Sequence, residues 1–290
     1  MSDPATYQIG HWTEREAMTG CTAIIFDRLV PTAFEARGGA PGTRETDLLR
    51  SSASVRSVDA ILLSGGSAPG LSAADGVIRY LQERERGFPT IAGPVPIVPA
   101  AIIFDLGVGR PISPRPDDGY AACMAAAAPD SVERGQVGAG TGARVATIHP
   151  GREPVRGGFG AASVTCAAGT VHAYMVVNAA GEVITPDTSV DLRPSLLNTS
   201  SRVRGDSRES TTIGVVVTDA AVDHRTLERM TIAAHDGMAR MIRPCHTAVD
   251  GDAIFSCGLR RGVCDVMTTM ALSLAAELAV ERAILDAVIS

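Results

Sequence analysis

The sequence predicts a layered α/β fold with mixed sheets, and three features of its 290 residues carry that expectation. Two short apolar runs flank the turn Ala167-Ala168-Gly169 and read as paired strands. A third run, Asp59-Ala60-Ile61-Leu62-Leu63, passes through the turn Ser64-Gly65-Gly66 into a helical pattern, which is a strand-to-helix unit. Two long helical patterns then fill much of the last quarter of the chain.

Taken in order, Thr22-Ala23-Ile24-Ile25-Phe26 is an early strand, and Arg37-Gly38-Gly39-Ala40-Pro41-Gly42-Thr43 is a turn-rich loop. The helix after the glycine turn covers about 72–84, with Ala73, Val77, Tyr80 and Leu81 at helical spacing. Pro96 and Pro99 lack the N–H that a sheet ladder needs, so the next strand is confined to 100–106. An alanine-rich helix over 120–127 and a glycine loop over 135–142 precede the hairpin, whose strands cover 161–165 and 171–178. The composition then turns to Ser, Arg, Asp, Asn and Pro over 186–210, an exposed linker. A valine-rich buried strand follows over 211–218, then a helix over 223–241 capped by Asp223 with Glu228 and Arg229 outward, and a strand over 252–257. The last helix, over 263–288, is rich in Ala, Leu and Met and reads as core or as a subunit contact. No internal repeat is visible, and residues 1–290 are taken as a single domain.

Hydrophobic residues make up 45% and charged residues 20%, a globular composition. The net charge of −6 argues against a nucleic-acid binder, which needs a basic face. Every basic residue apart from histidine is arginine, so no lysine base, Schiff-base lysine or phosphate-loop lysine is available. The six cysteines, Cys21, Cys123, Cys166, Cys245, Cys257 and Cys264, are scattered without metal-ligand spacing, so neither a metal nor a cofactor is expected. No apolar stretch approaches the ~20 residues of a membrane span, and the start of the chain lacks the pattern of a signal peptide. The expectation is a cytoplasmic protein acting on a small molecule, with no membrane or nucleic-acid partner.

Thr211 is the first candidate for chemistry, because it opens a buried strand directly after the polar linker. Cleavage of the bond before it would give one residue a hydroxyl nucleophile and an α-amine base with an ordinary pKa near ~8. Asp250-Gly251-Asp252 leads into the next strand and is either a turn or a pair of carboxylates able to hold an ammonium and a hydroxyl. Asn178 ends a strand, where its amide either terminates the element or donates to an oxyanion. Ser67 competes as nucleophile, since Gly65-Gly66-Ser67-Ala68 lies between a strand and a helix, although Pro69 stands where a serine elbow carries glycine. Gly138-Ala139-Gly140-Thr141-Gly142 has no helical pattern after it and reads as close packing or a pocket wall. No catalytic role is assigned to His235, Asp236 or His246.

Several blocks together resemble a known family. They are the Arg37 to Thr43 loop with Arg44-Glu45-Thr46-Asp47, residues 62–76, the segment Ile97-Val98-Pro99-Ala100-Ala101-Ile102-Ile103-Phe104-Asp105, residues 138–143, and residues 211–219 with Ala234-His235-Asp236-Gly237. In order and over nearly the whole chain, these resemble the P1-family peptidases, which include DmpA-type aminopeptidases, β-peptidyl aminopeptidases and nylon-oligomer hydrolases. The resemblance implies an αββα sandwich of the DmpA and ornithine-acetyltransferase kind, similar to N-terminal-nucleophile hydrolases. It also implies self-cleavage into an α fragment, 1–210, and a β fragment, 211–290, within a homo-oligomer of four or more chains. Carried over by position, Thr211 is the nucleophile, Asn178 lies on the oxyanion side, and Asp250 and Asp252 orient the amine and hydroxyl.

The implied activity is hydrolysis of small peptide, β-amino-acid or ω-amino-acid amides through an acyl-enzyme, with acyl transfer as a variant. An uncut relative serving as a binding or assembly protein is the alternative. The sequence departs from the family at Ser210, where Asn or Gly is usual, and at Thr147, where the nylon-hydrolase branch has lysine. It departs again at Phe104, where some relatives have tyrosine.

Overall fold

A computed structural model describes residues 5–149, 153–185, 193, 197 and 210–290. Its strands are β1 (Tyr7–Glu14), β2 (Thr19–Ala36), β3 (Thr43–Arg44), β4 (Ser57–Ser64), the hairpin β5 (Phe88–Thr90) and β6 (Gly93–Val95), β7 (Ala100–Ile102), and the short pair β8 (Arg144–Val145) and β9 (Val155–Arg156). They continue as β10 (Gly158–Cys166), β11 (Gly169–Val177), β12 (Glu182–Val183), β13 (Ile213–Val222), β14 (Ile242–Arg243) and β15 (Ala253–Arg261). The helices used below are α1 (Ala73–Gln82), α2 (Pro116–Met124), α3 (His224–Met241) and α4 (Val266–Ile289).

Nine of the strands are linked in the order β10-β11-β13-β15-β2-β4-β7-β3, with β1 also on β2. The 18-residue β2 belongs to both halves of this array. Its first part pairs antiparallel with β1 and β4, and its last part, Thr32 to Ala36, pairs antiparallel with β15. The register shift between Ile25 and Val30 marks the passage from one layer to the other.

Period-two alternation along the strands separates three apolar layers. Ile24, Phe26, Ile61, Leu63, Val215, Val217 and Phe255 meet between the two sheets. Val216, Ile254, Ala173 and Met175 face the other way, toward Leu227, Met230, Ala276 and Ile284 of α3 and α4. Ala60, Leu62, Cys21 and Ala23 pack on Ala74, Val77 and Ala122 of α1 and α2. The result is the expected αββα sandwich, each valine or phenylalanine in these layers contributing roughly 1.5–3 kcal/mol by leaving water.

Local signals explain the helix ends. Asp223 accepts the Thr226 N–H at 2.8 Å, as the sequence predicts for the start of α3, and Asp265 accepts the Thr268 N–H at 2.7 Å to begin α4. The helix expected over 120–127 instead begins at Pro116, where proline suits the first turn and Asp118 accepts the Arg115 N–H at 2.8 Å. The strand expected over 100–106 is only Ala100–Ile102. The linker expected over 186–210 lies outside the described residues, apart from Arg193, Leu197 and Ser210. One face of α4 is core, while Val266, Met267, Met270 and Leu274 are exposed.

The glycine loop before β8 is a packing device. Its Gly138 N–H donates to Thr13 Oγ1 at 2.8 Å and its Ala139 N–H to Thr22 Oγ1 at 3.1 Å, so these donors are spent on β1 and β2 rather than on a phosphate. Among the described residues no helix is long and apolar enough to cross a membrane.

Candidate active site

Strand register brings the site together. Ile213 of β13 pairs antiparallel next to β11, opposite Val176, and parallel to β15, opposite Ala253. Counting back two residues along each ladder puts Thr211 between Asn178 and Gly251, and an isolated bridge pairs Ser210 with Asp250. Asn178, Thr211 and Gly251, which lie 33 and 40 positions apart in sequence, thus converge because three valine-rich or apolar strands fix one another.

The Ser210–Thr211 peptide is buried. Its N–H donates to the Asn178 carbonyl at 2.5 Å, and its Ser210 carbonyl accepts the Gly251 N–H at 2.9 Å. Thr211 Oγ1 donates to that same carbonyl oxygen at 2.6 Å. With a C=O bond of about 1.23 Å, the hydroxyl oxygen lies no more than about 3.8 Å from the carbonyl carbon. Gly251 is required here, since a Cβ at that position would stand 2.7 Å from both Thr211 Oγ1 and the Ala40 carbonyl. Ser210 Oγ is in turn 2.7 Å from Thr147 Oγ1, so the position where lysine was expected holds a neutral hydroxyl pair.

The two carboxylates are buried beside Thr211, but among the described residues neither hydrogen-bonds to it. The expected direct contacts with its amine and hydroxyl are therefore absent, because the backbone around the carboxylates supplies enough donors. Asp252 Oδ1 accepts the Thr212 N–H at 2.8 Å, while Oδ2 accepts the N–H of His246 and its Nδ1, each at 2.8 Å. Asp250 Oδ2 takes the Thr247 N–H at 3.0 Å and the Thr247 hydroxyl at 2.5 Å, and Oδ1 takes the Ala180 N–H at 3.3 Å. Burial, and then the Asp252 charge, raise the pKa of Asp250. The Arg37 to Thr43 loop braces this turn from outside: Arg37 N–H donates to Asp252 O at 2.9 Å and Ala40 N–H to Asp250 O at 2.8 Å. Gly38 sits so close that a Cβ would meet the Asp250 carbonyl at 2.2 Å.

His246 is a member of the site that the sequence did not single out. Burial lowers its pKa, but the bond to Asp252 and the Cys245 thiol more than offset that, and the result is raised to about 10. The His235 ring stands edge-on to it, with centroids 4.9 Å apart. Burial and the neighbouring His246 charge help to push His235 down to about 4, and its Nε2 donates to the Glu35 carbonyl, 3.0 Å away.

A folded His246 that keeps its proton to about pH 10, against about 6.5 when unfolded, stabilises the fold fully below pH 6.5. That contribution is lost as pH rises toward 10. Denaturant midpoints of the wild type minus those of His246→Gln are expected to fall over this window. A difference that stays constant with pH would contradict the ion pair.

The Asn178 side chain points to a small cavity of about 60 Å³ lined by Phe104, Val108, Arg144, Thr147 and Pro154. Its Oδ1 accepts the Arg144 N–H at 2.9 Å and its Nδ2 donates to the Phe104 carbonyl at 3.3 Å. An amide nitrogen has two protons, so one remains for a ligand. Ser67 does not line this cavity. Its backbone is in an unusual conformation, φ 56° and ψ −158°, and among the described residues its hydroxyl has no hydrogen-bond partner, so nothing activates it. Among the described residues no cluster of His, Cys, Asp or Glu suits a metal ion.

The profile of peptidase family S58 matches residues 2–290. An uncharacterized aminopeptidase of Mycobacterium tuberculosis is 46% identical over 258 residues, which cover 82% of this chain and 72% of that one. A 6-aminohexanoate-oligomer endohydrolase of Paenarthrobacter ureafaciens is 29% identical over 269 residues, covering 86% and 71%. The fold is that of the L-aminopeptidase D-Ala-esterase/amidase of Ochrobactrum anthropi, a variant of the Ntn-hydrolase fold. The two superpose with a TM-score of 0.74 at 17% identity, over 98% of this chain and 84% of that one. A match across the chain, a shared fold and a threonine hydroxyl set against a buried peptide bond lead to one conclusion: this chain belongs to peptidase family S58 and is a hydrolase of amide bonds.

Proposed function

We propose that the chain cuts itself between Ser210 and Thr211, and that the freed Thr211 then hydrolyses small peptide, β-amino-acid or ω-amino-acid amides as an aminopeptidase or amidase. The observation that carries this reading is the double contact on one carbonyl. The Ser210 oxygen takes the Thr211 hydroxyl at 2.6 Å and the Gly251 N–H at 2.9 Å, so a nucleophile and an oxyanion donor address the same group.

In the first reaction Oγ1 attacks the Ser210 carbonyl carbon, the C–N bond breaks, and the hydroxyl proton ends on the Thr211 nitrogen. Water then hydrolyses the ester, giving a Ser210 carboxylate and restoring the hydroxyl. In the second reaction the free α-amine takes the proton from Oγ1 as it attacks the substrate carbonyl. The leaving amine receives that proton, and water releases the acyl group. Departure of the Ser210 carbonyl frees the Gly251 N–H for the substrate oxyanion, with the spare Asn178 Nδ2 proton as partner. The Asn178 carbonyl, which already accepts from the Thr211 nitrogen at 2.5 Å, holds the new ammonium, and the buried Asp250 and Asp252 supply negative charge beside it. Substrates of this class are suggested by the activities of the 6-aminohexanoate-oligomer endohydrolase and of a Burkholderia beta-aminopeptidase with a similar fold.

Denaturing electrophoresis with N-terminal sequencing tests the reading: the smaller fragment is expected to begin Thr-Thr-Ile-Gly. A single band that starts at the original N-terminus, from protein that hydrolyses amides, would refute it. Asn178→Asp tests the oxyanion role, because it keeps the acceptor for the Arg144 N–H and removes the donor. The expected loss is about 100-fold in kcat with little change in KM. An unchanged kcat would remove Asn178 from the mechanism.

A further inference from the structure

The cavity beside Asn178 has one charged wall. Arg144 lines it, and across the short β8/β9 ladder Arg144 stands directly opposite Arg156. Residues directly opposite in an antiparallel pair project to the same face, and like charges there repel. Among the described residues neither guanidinium has an ion pair or a side-chain hydrogen bond, and Glu153, close by in sequence, pairs with neither. Among the described residues, then, these two opposed cations have no counter-charge, in a chain of net charge −6. The remaining wall is apolar or neutral: Phe104, Val108, Thr147, Pro154 and Asn178.

The position ties this charge to the reacting bond. The Arg144 N–H is bonded to Asn178 Oδ1, and the Asn178 carbonyl holds the Thr211 N–H. Thr147, three residues beyond Arg144, touches Ser210. We infer that Arg144, assisted by Arg156, binds a free carboxylate of the substrate, so that the enzyme selects amides bearing a carboxylate over their neutral counterparts. A guanidinium presents a planar fork that matches a carboxylate, and the small cavity suits a group of that size. An anion between the two arginines also relieves their repulsion. Arg144 acts here as a binding residue for the substrate, with Thr211 left to do the chemistry. This inference rests on the hydrolase reading above.

The test compares β-alanylglycine with β-alanylglycinamide, which differ only in the carboxylate. For the wild type, KM is expected to be about tenfold or more lower for the carboxylate form, with similar kcat. Arg144→Gln is expected to erase the difference, Arg144→Lys to keep part of it, and Arg156→Gln to reduce it. Equal KM values in the wild type, or an equal loss with both peptides in Arg144→Gln, would overturn the inference.

Calorimetric titration with glutarate, which has no amide bond, reads the same site without turnover. Its Kd is expected to weaken about tenfold or more in Arg144→Gln, and undetectable binding by the wild type would count against the site. The two readings fail separately. Turnover without carboxylate preference sinks the inference alone, whereas uncut, inactive protein that still binds glutarate through Arg144 sinks the hydrolytic mechanism alone.

Discussion

Thr211→Ala is expected to leave a single full-length chain of 30.0 kDa with amide hydrolysis reduced by about a thousandfold or more. The substitution removes the hydroxyl placed against the Ser210 carbonyl, and with it the nucleophile of the second reaction. It should do so without loosening the fold. The Thr211 N–H keeps its bond to the Asn178 carbonyl, and the deleted hydroxyl bonds only to the adjacent carbonyl, so no buried partner is orphaned. The stability change is expected to stay within about 1 kcal/mol, measured by denaturant unfolding of the uncut forms. Thr211→Ser should restore cutting and part of the activity. Activity that survives in Thr211→Ala would move the chemistry to another residue, and Ser67→Ala is then the control that examines the serine-elbow alternative.

Asp252→Ala is expected to have the largest effect on stability. Its two oxygens accept three hydrogen bonds, from the Thr212 N–H and from the His246 backbone and ring, and its side chain is only 2% exposed. Alanine leaves a half-buried imidazolium without its counter-charge and two N–H groups without an acceptor. Breaking such a pair costs about 3–5 kcal/mol, which for a chain of this size corresponds to a fall in Tm of roughly 10 °C. His246 should then lose its proton, since burial alone lowers its pKa. Self-cleavage should slow as well, because the Thr212 N–H that anchors the residue after the nucleophile is released. Asp252→Asn keeps an acceptor for Thr212 and should fall between alanine and the wild type. A Tm within about 2 °C of the wild type in Asp252→Ala would mean that the ion pair does not brace the site.

The elements that carried their own patterns were legible. Val215 to Val217 announce a buried strand, Asp223 marks the start of α3, and Ala167-Ala168-Gly169 marks a hairpin whose ladder runs from Cys166 and Gly169 to Gly158 and Val177. What escaped was structure whose reason lies elsewhere in the chain. β1 has Gln8, His11, Thr13 and Glu14 in its eight residues and reads as polar, yet Tyr7 and Ile9 are buried because β2 pairs along its whole length. β2 looked five residues long, since Asp27 and Arg28 interrupt its apolar pattern where the strand passes between sheets.

The site divides in the same way. Thr211, Asn178, Asp250 and Asp252 were readable as residue types at strand ends, and the strand register does gather them. The Gly251 N–H is a backbone donor that no side chain advertises. The pairing of His246 with Asp252 depends on a turn that the Gly38 loop packs against, and a histidine six residues before an aspartate is a weak signal by itself. Arg144 and Arg156 are opposed through strands of two residues each, too short for any periodicity to register. Asp105 was quoted only as part of a motif. It is a buried carboxylate, pushed by burial up to about 6, that clasps the Gly66 N–H at 2.7 Å and the Thr19 hydroxyl at 2.8 Å and so fixes the turn after β4.

The central claim is that one residue, Thr211, first cuts the chain and then works through the amine it has exposed. Intact mass of the purified, active protein tests this most directly. The account predicts two masses that sum to the full chain plus one water, divided between Ser210 and Thr211. A single full-length mass from protein that hydrolyses amides, with no trace of the fragments, would contradict it.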